Sequence, residues 1–442
     1  MKPAQRMARL IGAVLVGSIP AGAWAGEPEL KLDRVWLEAG GFFDGSRADS
    51  SQYGNLAASL GWEPSAHWEV KLGARVDGYW QTGELDFTAA ELDYTENFVR
   101  YRSNGTRVTV GTQKVIWGRA DVAPPTDRLS RVDASRFFLD DLADRRRAVP
   151  GVRLEHYFTP EVKADFFGVP FFDPAVLSDE DSVWYPVNRQ AGRIIFAKPL
   201  PGFDYLVRNG SFGEDDTGAG GAGLRLTFGG SGIDYGVSVQ RARHSLPYYR
   251  LDSVIVGRLQ GGASPVVALA DVTGDTFTEI HPYSWVGGGE IELDAGGATW
   301  RAEAAYLSDI PLTSRDLDYF TSDGVDWMAG VEFFPGDGDT RATLQVTGHQ
   351  VFTDRPVVDL GDYYAVNGEL EHTFGHGSWR AGLRFNLGLN VRDVYVNPQL
   401  TYVGLAPHEI YVGAHFFSGD DDTGGGFHAD DDLAVLGWQV RY

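Results

Sequence analysis

Between Gly118 and Pro150 the chain carries six Asp and seven Arg, with no Lys and no Gly after Gly118. Opposite charges at this density can do two things. Facing one another across a water-filled gap, Arg119, Asp121, Asp127, Arg128, Arg131, Asp133, Arg136, Asp140, Asp144 and Arg147 would set a transverse field and a bore. Such a bore sorts small polar solutes by charge and size, and Arg is suited to gripping carboxylate or phosphate bidentately. Aimed at a neighbouring wall, the same ions would only staple the segment in place. Asp133 is a good N-cap, and the pattern predicts a short helix over Ala134 to Arg146 with Phe138 and Leu142 on one stripe. Along it, Asp140 and Asp144 come within reach of Arg136 and Arg147. Its apolar stripe needs an enclosing surface to dock against.

The rest of the chain supplies that surface. From Trp68 to Trp80, apolar Val70, Leu72, Ala74 and Val76 alternate with Glu69, Lys71, Arg75 and Asp77. From Trp379 to Leu389 the same period-two pattern sets Arg380 and Arg384 opposite Leu383 and Phe385. Arg301 and Glu303 alternate with Trp300 and Ala302, and Glu369 with Val366 and Leu370. Aromatics recur near the ends of the apolar faces, where the girdles of a barrel in lipid sit. The polar faces, with Arg75, Arg301, Glu303, Glu369, Arg380 and Arg384, suit a water-filled lumen wall.

Short polar turns alternate with longer connections along most of the chain, as periplasmic turns and extracellular loops do. We expect an all-β fold, a transmembrane antiparallel barrel of about 18 strands within a range of roughly 16 to 20. Marginal strand candidates include Val152 to Phe158 and Ile194 to Lys198. Gly118 to Pro150 falls in the third extracellular loop and is expected to fold inward as an internal constriction.

Both ends fit export to an outer membrane. Lys2, Arg6 and Arg9 precede the apolar run Leu10 to Ile19 and the small-residue site Ala23-Trp24-Ala25, the pattern of a cleaved signal peptide over residues 1–25. Residues 26–442 are then expected to form a single barrel domain. The last strand places Ala434, Leu436, Trp438, Val440 and Tyr442 on one face.

Composition excludes other classes. There is no Cys, so an exported disulfide scaffold is ruled out. No stretch approaches the roughly 18 apolar residues of a membrane-spanning helix. The net charge of −23 becomes more negative by three once the signal is removed, which disfavours nucleic acid as a partner. No Gly-x-Ser-x-Gly, His-Glu-x-x-His or phosphate-loop motif is present, and we expect neither an enzyme nor a cofactor. The acidic tip Asp420, Asp421 and Asp422 is a weak candidate for a divalent cation.

Two stretches carry a resemblance. The terminal strand resembles that of Gram-negative outer-membrane barrels, with Tyr442 where Phe is usual. The run from Val110 through Trp117-Gly118 to Asp121, with Asp127, Asp133 and the Arg147-Ala-Val-Pro150 exit, is similar to uncharacterised porin-like outer-membrane proteins of proteobacteria. The match is specific over roughly 40 residues. It implies a barrel with an internal constriction and transfers no substrate. A channel for small polar or charged solutes is the expected function, with a closed structural or export-associated barrel as the alternative and a barrel enzyme less favoured. The expected partners are outer-membrane lipid and lipopolysaccharide, the barrel-assembly machinery through Tyr442, small solutes, and a second copy in a homo-oligomer.

Overall fold

The computed structural model describes residues 26–215, 218–336 and 338–442; the expected signal peptide lies outside them. One antiparallel sheet of 19 hydrogen-bonded segments dominates. Its strands are β1 (Glu29–Phe42), β2 (Ala48–Ser65), β3 (Trp68–Gly83), β4 in two segments (Phe87–Tyr94 and Asn97–Ser103), β5 (Thr106–Gln113) and β6 (Val149–Tyr157). Next come β7 (Val162–Val169), β8 (Gly221–Gly230), β9 (Ile233–Arg243), β10 (Tyr283–Ala295), β11 (Ala298–Thr313) and β12 (Tyr319–Phe333). The last are β13 (Thr340–Val351), β14 (Tyr363–Phe374), β15 (Trp379–Gly388), β16 (Asp393–Leu405), β17 (His408–Gly419) and β18 (Leu433–Arg441).

Both segments of β4 pair with β3, so the strand count is 18, as expected. At the break, Asn97 substitutes its side chain for the missing ladder bonds: Oδ1 accepts from Gly73 N at 2.9 Å, and Nδ2 donates to Gly73 O at 2.8 Å. β1 pairs with β18 from Arg34↔Arg441 to Phe42↔Leu433. That seam closes the ring and leaves no free edge.

Alternation decides the two faces. Leu37, Leu56, Val110, Val237, Trp300, Leu344 and Leu436 are exposed on the outside, where a soluble protein would not leave a continuous apolar belt. Many inward side chains are polar and buried, among them Asn55, Asp77, Glu290, Glu303, Gln345 and Asn397, with an aliphatic cluster of Val286, Leu307 and Leu312 beside them. The apolar exterior and closed hydrogen bonding make this a membrane-spanning barrel.

Connections at one end are tight turns. At the other end lie L1 (43–47), L3 (114–148), L4 (170–220), L5 (244–282), L6 (314–318), L7 (352–362) and L9 (420–432). L1 and L6 are short, because β2 begins at Ala48 while β11 and β12 reach Thr313 and Tyr319. The strand candidate Ile194 to Lys198 is not a barrel strand; only Arg193–Ile194 is extended, paired with Val187–Asn188 inside L4.

L4 and L5 build one module. Phe212–Glu214 of L4 runs parallel to Phe277–Ile280 of L5, which also pairs with Tyr248–Leu251. Helices Phe203–Asn209, Ser253–Gln260 and Pro265–Leu269 cover that sheet. Leu206, Val207, Ile255, Ala268 and Phe277 form its core.

Candidate functional site

L3 lies inside the ring, and its side chains are bonded to strands on every side. At its start, Glu303 of β11 accepts from Arg119 N at 2.8 Å, Thr126 N at 2.6 Å and Thr126 Oγ1 at 2.7 Å. The chain approaches this carboxylate at Gly118, whose φ is +99° and where a Cβ would lie 2.6 Å from Glu303 Oε1. Only glycine meets both demands. Arg119 reaches β10, with Nη1 2.9 Å from Glu292 and Nε 3.3 Å from Glu290. Asp121 accepts from Gln345 of β13 at 2.6 Å and pairs with Arg301 at 3.4 Å. Burial raises the Asp121 carboxyl above its ordinary range, against the pull of Arg301. Arg128 pairs with Asp326 of β12.

The middle of L3 crosses to the opposite wall. Arg131 donates to Asp93 of β4 at 3.2 Å. Arg147 donates to Asp133 at 2.6 Å and to Asp77 of β3 at 3.0 Å. Asp77 also receives Arg75 at 2.6 Å, Tyr53 at 2.7 Å and Asn55 at 2.8 Å. Arg146 holds Asp127 at 2.6 Å, and Ser130 donates to the same carboxylate. Arg136 pairs with Glu38 of β1 and stacks over Tyr53 at 4.3 Å and Trp36 at 4.7 Å.

The expected helix over Ala134 to Arg146 is absent. Arg131–Ala134 and Arg146–Arg147 pair as short antiparallel strands, with turns between them. Phe137 takes a positive φ of 53°, which breaks helical continuity, and Leu139 is buried instead of Phe138 and Leu142. Helical spacing would tie Asp144 to Arg147; here each finds a wall partner, since buried charges are tolerated only when paired. The Arg136–Asp140 pair survives at 2.9 Å.

The last acids of L3 face an arginine wall. Asp144 takes Arg34 of β1 at 2.7 Å and Arg441 of β18 at 2.9 Å. Asp141 takes Arg384 of β15 at 2.7 Å, and Arg384 also donates to Leu139 O at 2.6 Å. Burial raises Asp144, but Arg34 and Arg441 outweigh it and hold the carboxyl below its ordinary range. The Asp140 carboxyl pairs with Arg136, but burial, with Asp144 and Glu38 nearby, pushes it up to about 7. Between this edge of L3 and the wall lies a polar cleft of about 750 Å³, counting the solvent open to it. Its lining includes Arg34, Arg380, Arg384 and Arg441 on the wall, and Asp140, Asp141 and Asp144 on the loop.

The remaining expected wall residues also point inward. Arg301 bonds Glu292 at 2.8 Å, Arg341 bonds Glu369 at 3.2 Å, and Arg380 lies 3.5 Å from Glu371 and 3.4 Å from Glu409. Asp420, Asp421 and Asp422 do not converge: Asp420 accepts from Arg392 N, Asp421 faces Arg193, and Asp422 is buried apart. Among the described residues no group of three ligating side chains could hold a metal ion.

Sequence reasoning missed Arg34, Glu38, Asp141, Asp326 and Arg441. Each sits on the polar face of an alternating strand or inside the Asp/Arg run, but pairing across the bore has no signal in local spacing. It also missed an aromatic cluster at the loop end. There His428 of L9 lies 4.4 Å from Phe137 of L3 and 5.1 Å from Trp184 of L4, ring centre to ring centre. Phe417 of β17 completes it.

No protein-family model and no curated protein matches the sequence. Among solved structures, the chain is similar to OccAB1 of Acinetobacter baumannii, at 8% identity and a TM-score of 0.53, covering 96% of this chain and 98% of that one. It is likewise similar to OccAB4 of the same organism, at 10% identity and a TM-score of 0.50, covering 94% and 98%. By fold this chain is a closed, porin-like antiparallel β-barrel of 18 strands with a long third loop bonded inside it.

Proposed function

We propose that the protein is a diffusion channel for small polar or charged solutes, narrowed by L3, with the L3–β15 cleft as its filter. One observation carries this reading: wall arginines Arg34, Arg380, Arg384 and Arg441 stand across a polar cleft from Asp140, Asp141 and Asp144 of the loop. Opposed rows of unlike charge orient a passing dipole and favour solutes bearing both a carboxylate and a cation. Arg380 and Arg384 line the cleft with side chains 34% and 25% exposed, so a solute carboxylate can exchange with the resident acids. The membrane barrel supplies the passage, and the ion pairs of L3 hold the filter in shape.

Reconstitution in planar bilayers tests this. The wild type should conduct, and Arg384→Gln should shift the reversal potential toward cation selectivity in a salt gradient. Excising residues 120–146 should raise single-channel conductance by about twofold or more. Unchanged conductance and selectivity in both variants would count against the filter. A wild type that conducts nothing would favour a closed structural or export-associated barrel, for which the Trp184 segment of L4 packed over the loop end is the supporting observation.

A further inference from the structure

On the strands, basic side chains point into the lumen with two exceptions. Lys71, Arg75, Arg100, Arg153, Lys163, Arg225, Arg301, Arg341, Arg380 and Arg384 alternate inward and meet lumen acids or amides. Arg241 and Arg243 of β9 lie on the opposite face. They continue the outward row Ile233, Tyr235, Val237 and Val239, all exposed to the bilayer side. At about 3.3 Å per residue and a strand tilt of about 40°, they stand about 20 and 25 Å above Ile233. That is the height at which an apolar belt meets the headgroups of the outer leaflet.

The two guanidiniums lie against aromatic rings. Register sets Arg241 opposite Trp285 and Arg243 opposite Tyr283. Arg241 lies 4.9 Å from the Tyr283 ring centre and 5.6 Å from Trp285; Arg243 lies 4.1 Å from Tyr283 and 5.8 Å from Phe172. Among the described residues neither pairs with a carboxylate. Arg243 donates to Ala219 O at 2.9 Å and His281 O at 2.8 Å, while Arg241 makes only its ring contacts. An arginine at a membrane boundary costs little to keep, and one held against a ring with its donors open is preorganised to receive an anion.

We infer that Arg241 and Arg243 form a docking site for a phosphate-bearing glycolipid of the outer leaflet, its phosphate held by Arg241 and its acyl chains lying on Val237 and Val239. The occupant is a lipid because the site opens toward the bilayer and its lower border is apolar.

The test uses full-length protein in dodecyl maltoside, titrated with diphosphoryl lipid A, dephosphorylated lipid A, phosphatidylcholine or inorganic phosphate. Bound adducts are counted by native mass spectrometry, and folding is checked by heat-modifiable gel mobility. Wild type should retain diphosphoryl lipid A over the other three, and R241Q should weaken it about tenfold. R315Q, which removes an exposed arginine of L6, should leave it unchanged. Should R241Q misfold, R241K serves instead: it keeps the charge, loses the fork, and should still weaken binding. Equal retention by R241Q or R241K and wild type would overturn the proposal. So would equal retention of dephosphorylated lipid A, displacement by inorganic phosphate, or burial of Arg241 against a second copy in a cross-linked oligomer.

Discussion

Glu303→Gln should free the first limb of L3 while leaving the barrel folded. The carboxylate is 3% exposed. It receives two backbone N–H groups and a hydroxyl at 2.6 to 2.8 Å. A glutamine keeps the shape but has one accepting oxygen, so at least one buried N–H would face an amide NH₂. An unsatisfied buried donor costs about 1–3 kcal/mol, and the surviving bonds lose roughly half their strength without the charge. Together the docked limb loses about 3–5 kcal/mol. At about 1.4 kcal/mol per tenfold, undocking rises between about 100-fold and a few thousandfold. Far anchors at Asp77 and Glu38 remain, so the effect is confined to residues near 118–128. Limited trypsin digestion in detergent reads it directly, through cleavage after Arg119 and Arg128, with heat-modifiable mobility confirming the closed barrel. Cleavage no faster than in wild type would refute the claim that Glu303 is the anchor.

Asp140→Asn should remove a pH step from ion selectivity. The Asp140 carboxyl is pushed from its ordinary 3.8 up to about 7, so the loop binds this proton more tightly folded than unfolded. Its contribution therefore destabilises the docked loop progressively between those values as pH rises, and is constant above. Wild-type selectivity should shift toward cations as pH rises through about 7 and the cleft gains a negative charge, and the variant should stay flat; reversal potentials measured from pH 5 to 8 decide it. Gly118→Ala meets both a positive φ and a 2.6 Å approach to Glu303 and Pro124. It should cost the docked limb about 1–3 kcal/mol and speed the same tryptic cleavage; unaltered protection would show that the limb has slack.

The barrel was legible because period-two alternation is enforced at every strand when one face meets lipid and the other water. Trp68 to Trp80 and Trp379 to Leu389 therefore declare their faces one residue at a time. The Asp/Arg run was legible as an ordered insert for a similar reason: that many charges without glycine must find partners. Its conformation was not. Helix capping at Asp133 is a local preference of about 1 kcal/mol, and it yields when Asp133 is taken by Arg147 and when Asp144 bonds two wall arginines. The β4 break at Thr95–Glu96 was hidden because it rests on side chains, Asn97 copying backbone bonds to Gly73 and Thr112 bridging Asn97 N and Thr95 O. The parallel pairing of Phe212–Glu214 with Phe277–Ile280 joins segments far apart in sequence, and neither carries a pattern that names the other.

Asp144 gives the closure of the ring a second meaning. Its two oxygens take Arg34 from the first strand and Arg441 from the last, so one carboxylate from the loop clasps the two ends of the cylinder. Zipping of that final seam and seating of the loop are consequently coupled: each lowers the free energy of the other. A barrel assembled with this loop left outside would lack the clasp. The insert thus ties the first strand to the last from within the ring.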